Sequence, residues 1–128
     1  MEITRGKLIH GVIADYCYEP SGLLVSYSKP VMRTVKNIAD NISFVKAITK
    51  GNCVPLLIHL VKSPMPDKAT RKFSAEKLPE VYTAMAMVSK PGLSQFIMKL
   101  LFKFQQPPIP MRSFSNESEA RVWLSQFL

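Results

Sequence analysis

The chain has 128 residues, of which 47% are hydrophobic and 20% charged, and it carries a formal net charge of +8. The hydrophobic content excludes a disordered chain, and the 5 Gly and 10 Pro exclude collagen-like or low-complexity sequence. The length predicts one domain over residues 1–128. The positive charge favours anionic partners, such as nucleic acid, acidic lipid, a phosphorylated ligand or an acidic protein, without choosing among them.

Cysteine content and hydropathy predict a cytoplasmic protein. Cys17 and Cys53 are the only cysteines, fewer than small secreted domains usually carry. Residues 1–5 lack the long apolar run of a signal peptide. The longest apolar runs are far shorter than the roughly 18 residues of a membrane span, so no transmembrane segment is expected.

The first half of the chain predicts a hairpin followed by a helix. Residues 8–18 are apolar and β-branched, which is typical of a strand. Turn residues at 19–22 lead into a second strand at 23–28, and so short a turn favours antiparallel pairing. Thr34 is a suitable N-cap for a helix from 35 to about 50.

The second half alternates strands with helices. Residues 54–61 form an almost continuous apolar run, which indicates a strand buried on both faces. Asn116 and Glu119 have the spacing of a helix-capping pair. The strands predicted after Gly51 lie at 54–61, 81–88 and 111–114. The predicted helices run from Pro66 to about Leu78, from Pro91 to about Gln105, and from Asn116 onward. In the last helix the residues expected to face inward are Ala120, Trp123, Leu124 and Phe127.

The order is therefore β-β-α-β-α-β-α-β-α. Such alternation predicts an α/β fold with a mixed, mainly parallel sheet of about five strands and helices packed on it.

Residues 54–128 resemble a family of small bacterial proteins known as STAS/SEC14-like, which are similar in fold to the STAS domains of anti-anti-sigma factors. The resemblance rests on the stretches Thr70-Arg-Lys-Phe73, Ala84-Met-Ala-Met-Val-Ser89, Pro107-Pro-Ile-Pro110 and Ala120-Arg-Val-Trp123-Leu124. It implies a STAS-like arrangement and a regulatory module whose protein partner docks near the helix that begins close to Asp67. Phosphoregulated STAS domains carry an Asp-Ser pair at this helix start. Here the pair is Asp67-Lys68, so phosphorylation is not expected there.

The sequence contains no catalytic or metal-binding pattern. His10, Cys17, Cys53 and His59 include no closely spaced ligand pair, so no metal and no cofactor are expected. Cysteines in apolar runs are typically buried and inert. His59 is expected to be a hydrogen-bonded core residue. These observations predict a protein that is not an enzyme.

One candidate surface is the edge where parallel strands end. Basic and hydroxyl side chains follow the strands, and this edge of an α/β sheet favours ligands, so an anion or an acidic peptide is a candidate occupant. The alternative is that these are ordinary loop and cap residues. The residues of this predicted rim are Lys29, Lys62, Ser63, Asp67, Ser89, Lys90 and Ser115.

A second candidate surface lies on the helix at 92–105. Helical spacing puts Leu93, Ile97, Leu100 and Phe104 toward the core, and Met98 and Phe102 on the opposite face beside Lys99 and Lys103. An exposed Met–Phe pair suits a homodimer, a protein partner or a membrane surface. The alternative is that another element covers it. Nucleic acid is not expected, because no basic stripe with surface aromatics is visible.

The predicted function is a non-enzymatic regulatory or protein-interaction module. The runner-up is a binder of a small anionic or lipid-like molecule, held between the sheet and the helix at 92–105 near the carboxyl ends of the strands.

Overall fold

The computed structural model describes residues 7–102 and 106–128. In this part of the chain a single sheet is combined with helices. The strands are β1 (Leu8–His10), β2 (Ala14–Tyr18), β3 (Leu24–Ser28), β4 (Val54–His59), β5 (Tyr82–Val88) and β6 (Met111–Phe114). The helices are α1 (Val35–Ile48), α2 (Lys68–Val81), α3 (Leu93–Phe102) and α4 (Glu117–Leu124), and a 3-10 turn at Ser125–Phe127 follows α4.

The sheet has six strands in sequential order. β1, β2 and β3 pair antiparallel, whereas β3, β4, β5 and β6 are all parallel. The predicted α/β fold with a mixed, mainly parallel sheet is confirmed, with one strand more than expected. Each crossover from β3 onward steps to the next strand, so all four parallel strands end at the same edge.

The sheet is covered on both faces. Side chains of α1, α2 and α3 pack on one face around Leu24, Leu56 and Met87. The helix α4 packs on the other face around Val25, Leu57 and Ala86. β4 and β5 therefore contribute buried residues to both faces, which explains why their sequences are apolar almost throughout.

The extra strand arises because residues 8–18 form a hairpin, not one strand. Its turn includes Gly11, where a Cβ would lie only 2.5 Å from the carbonyl oxygen of Ala14 and 2.9 Å from the ring of Phe44. The amide of Gly11 also donates to Oδ1 of Asp15 at 3.3 Å. A glycine that allows close backbone approach can thus interrupt an apolar run that otherwise suggests a continuous strand.

The helix starts follow the capping residues. Thr34 Oγ1 accepts from the amide of Asn37 at 3.1 Å, and Asn116 Oδ1 accepts from the amide of Glu119 at 2.9 Å. These contacts satisfy amides that the first turn of a helix leaves free. Pro79 lies inside α2, which continues past the end predicted at Leu78.

Candidate functional site

The parallel topology gathers the predicted rim at one edge of the sheet. Lys29, Ser89 and Ser115 directly follow β3, β5 and β6, and Lys62 follows β4 after two residues. The parallel registers align the ends of these strands. The residues that follow the strands therefore lie along one edge, as expected, but their side chains have different roles.

Lys29 is held by the hairpin. Its Nζ donates to the carbonyl of Gly11 at 2.6 Å and lies 3.0 Å from Oδ1 of Asp15. The hydrogen bond from Lys29 is the main reason that the pKa of Asp15 lies below its usual value. Lys29 therefore joins β3 to the β1–β2 turn.

Two other rim residues act as helix caps. Asp67 Oδ1 accepts from the amide of Thr70 at 2.8 Å at the start of α2, and Ser89 Oγ accepts from the amide of Ser94 at 3.1 Å in α3. Hydrogen bonding to Thr70 also lowers the pKa of Asp67. These contacts match the alternative interpretation as ordinary caps. Lys90 and Ser115 are exposed.

The predicted exposure of Met98 and Phe102 is wrong. Phe102 is 9% exposed, and Met98 packs against the core beneath the first three helices. The reason is that α3 is apolar around most of its circumference, so spacing alone does not identify its inner face. Lys99 is exposed, and Lys103 lies outside the described residues.

The opposite side of α3 lines a cavity of about 500 Å³ that opens at the carboxyl edge of the sheet. We call this cavity the groove. It lies between the sheet, α2, α3 and residues 60–66. Some of the side chains in its wall are exposed, so the cavity is open to solvent. Its floor includes Ile58, Met85, Met87 and Met111, and its α3 wall includes Leu93, Phe96, Ile97 and Leu100.

The charged side chains that line the groove within the described part of the chain are all basic. They are Arg33, Lys62 and Arg71; Ser63 also lines it. Arg33 is half-buried, and burial lowers the pKa of its guanidinium. Two members of the predicted rim, Lys62 and Ser63, therefore belong to the groove.

A smaller cavity of about 160 Å³ adjoins the groove, and the two share seven lining residues, among them Arg33 and Met85. We call it the inner chamber. Tyr16 and Tyr82 line it, and the hydroxyl oxygen of Tyr16 accepts from Nδ2 of Asn41 at 2.6 Å. Burial raises the pKa of both phenols, so they are neutral hydrogen-bonding groups at neutral pH.

A more open cleft of about 570 Å³ lies beside the groove, between residues 32–36 and the beginning of α2. Arg33 and Met65 line both. Arg33 thus lies where the groove, the inner chamber and this outer cleft meet.

His59 belongs to a separate cluster on the face covered by α4. Its ring stacks on Tyr27 with centroids 4.9 Å apart, and its Nε2 lies 2.8 Å from Oε1 of Glu117. Partial burial favours a higher pKa for Glu117, but hydrogen bonds from Arg121 and His59 outweigh it and lower that pKa. Arg121 also donates two bonds to the carboxylate of Glu19 at 2.8 and 2.9 Å. His59 is hydrogen-bonded as expected, although it is half-buried.

Several residues of the groove and of the inner chamber do not stand out in the sequence. Arg33 has one signal, a basic residue between the end of a strand and the N-cap Thr34. Arg71 lies within the basic part of α2, where solvent exposure is the ordinary expectation. Tyr16 resembles any strand aromatic, since only the fold brings it to Asn41 and Tyr82.

Three further observations on the described residues concern membrane-spanning helices, metal ligands and the two cysteines. No helix in residues 7–102 and 106–128 is long and apolar enough to cross a membrane. The same residues contain no group of three or more His, Cys, Asp or Glu side chains arranged to hold a metal ion. Cys17 is buried and Cys53 is exposed.

Comparison with solved structures supports the fold. An uncharacterised protein of the DUF3478 family from Shewanella loihica PV-4, whose crystal structure shows a SpoIIAA-like fold, aligns with a TM-score of 0.57 and 12% identity. The alignment covers 97% of this chain and 98% of the other. The resemblance to STAS domains is thus confirmed as a likeness of fold.

Comparison of sequences identifies the family. No curated protein matches the chain significantly. A family model does match residues 19–128, which is most of the chain. The chain therefore belongs to the family described as Domain of unknown function (DUF7793).

Proposed function

We propose that this chain is a non-enzymatic cytoplasmic module that binds a small, largely apolar molecule in the groove. The observation that carries the proposal is the cavity of about 500 Å³ lined mainly by aliphatic, Met and Phe side chains. Its volume lies within the range of roughly 300–1,000 Å³ typical of ligand sites. Its position at the carboxyl edge of parallel strands is where α/β sheets commonly bind ligands.

Exposed apolar side chains around the opening support ligand entry. Phe96 is 52% exposed and Met65 is 55% exposed, and both line the groove. An apolar molecule that enters removes part of this surface from water, which favours binding. The regulatory and protein-interaction function, with a partner that docks near Asp67, stays a prediction that rests on the resemblance. The other surface predicted for a partner, formed by Met98 and Phe102, is covered.

A neutral fluorescent probe tests the proposal. We expect N-phenyl-1-naphthylamine to bind the wild-type protein with a rise in fluorescence. In Ile97→Trp, the indole occupies part of the groove, and affinity falls about tenfold or more, because each displaced methylene contact contributes roughly 0.8 kcal/mol. Ile97 is suitable because it is half-buried and lines the groove.

The control is Val122→Trp, which adds the same indole to an exposed position of α4. It should leave probe affinity unchanged, and circular dichroism should show both variants folded. Equal probe binding by wild type and a folded Ile97→Trp protein would contradict the proposal.

A further inference from the structure

We infer that the groove takes an amphiphile with one apolar chain and one carboxylate, and that Arg33 binds the carboxylate; this inference rests on the proposed ligand-binding function. The first support is charge. Within the described residues, three basic side chains and no Asp or Glu line the groove. An anionic group on the ligand would compensate this excess of positive charge.

The second support is the state of Arg33. A half-buried charge is unfavourable unless it is paired, yet among the described residues no carboxylate lies within ion-pair distance of this guanidinium. Arg33 differs in this from Arg121, which lies 2.8 Å from Glu19. Arg71 is half-buried too, but Asp67 lies near enough for the charge of Arg71 to lower the pKa of that carboxyl. Among the described residues Arg33 is thus the half-buried charge of the groove without an acidic neighbour, and it would gain most from an incoming anion.

The third support is hydrogen bonding. Nη1 of Arg33 donates to the carbonyls of Lys29 and Val31 at 2.6 and 2.7 Å, and Nη2 donates to that of Ile13 at 3.0 Å. These bonds fix the guanidinium and use three of its five donors. Within the described residues the other two, on Nε and Nη2, have no protein acceptor. A carboxylate can accept two bonds from one guanidinium.

The surroundings orient the ligand. Arg33 lies where the groove meets the inner chamber, whereas Ile97 and Leu100 line only the groove. The carboxylate therefore lies at this junction, and the apolar chain extends along α3. The neutral phenols of Tyr16 and Tyr82 add no negative charge near the carboxylate.

The test compares two ligands that differ only in the head group. Dodecanoate and dodecan-1-ol each displace N-phenyl-1-naphthylamine, and we expect wild type to bind dodecanoate about tenfold or more tightly, as a hydrogen bond to a charged group allows. In Arg33→Gln the preference should fall to about one, with affinity for the alcohol kept. The control Arg112→Gln removes an exposed cation outside the groove and should keep the preference.

Arg33→Gln also removes bonds to three carbonyls, which destabilises the fold. A second measurement therefore uses the wild-type protein. The Nε–H signal of Arg33 in a ¹⁵N-arginine NMR spectrum should shift with dodecanoate and stay in place with dodecan-1-ol. Equal affinity for the two ligands, a preference that survives in folded Arg33→Gln, or an unmoved Arg33 signal at saturation would overturn the inference and leave the proposed function intact. Failure of the probe and both ligands to bind would instead overturn the proposed function.

Discussion

Replacing Phe102 by alanine is expected to lower the free energy of unfolding by about 3–5 kcal/mol, the usual cost of removing a buried aromatic ring. The side chain is buried at the end of α3, on the same face as Ser94 and Met98. Loss of the ring leaves a cavity between this helix and the rest of the protein. Urea denaturation followed by circular dichroism measures the change.

The matched control is Phe96→Ala on the same helix. Its ring is 52% exposed, so the free energy of unfolding should fall by less than about 1 kcal/mol. A folded Phe102→Ala protein as stable as Phe96→Ala would mean that α3 presents its other face to the core, as helical spacing alone predicts. In that case the groove would not exist in the form described.

Replacing Leu124 by alanine is expected to lower the free energy of unfolding by about 2–5 kcal/mol. Leu124 is 0% exposed and packs with Ala120 against the strand residues Leu57 and Ala86. In the described part of the chain, α4 and the 3-10 turn are the helical elements that cover this face. Loosening α4 therefore exposes apolar strand residues to water.

Val122→Ala serves as the control on α4, because Val122 is 75% exposed. It should change the free energy of unfolding by less than about 0.5 kcal/mol. Thermal and urea unfolding of both variants measure the difference. Equal stability of Leu124→Ala and Val122→Ala would show that α4 does not cover the sheet.

Strong local signals made much of the fold predictable. The apolar runs at 54–61 and 81–88 contain β4 and β5, which contribute buried residues to both faces of the sheet. Thr34 and Asn116 cap helices as their side chains suggest. The alternation of strands and helices was sufficient to predict parallel pairing from β3 onward, because consecutive crossovers on one face of the sheet place each strand beside the previous one. These features depend on neighbouring residues, which the sequence shows directly.

The errors concern features that distant residues decide. The apolar run breaks at Gly11, where a Cβ would lie 2.9 Å from the ring of Phe44, a residue of α1 that is far along the chain. The helix α3 has few polar residues, so the position of α2 and the sheet decides which apolar face is buried. The same packing determines whether Leu93 and Ile97 fill the core or leave a groove.

The candidate site was predictable in location but not in composition. The edge formed by the strand ends was expected, and Lys62 and Ser63 do line the groove. Lys29, Asp67 and Ser89 instead hold the turn and caps that shape this edge. Arg33 becomes distinctive only when the fold half-buries it without an acidic partner, which no spacing rule reveals.

The methionine methyl groups offer the most direct test of ligand binding in the groove. Met85, Met87 and Met111 lie on its floor, whereas Met32 lines the outer cleft and not the groove. In a ¹³C-methyl-methionine NMR titration with dodecan-1-ol, the three floor signals should shift together while the Met32 signal stays in place. Unchanged floor signals at full displacement of N-phenyl-1-naphthylamine, or a shift of Met32 alone, would contradict binding in the groove.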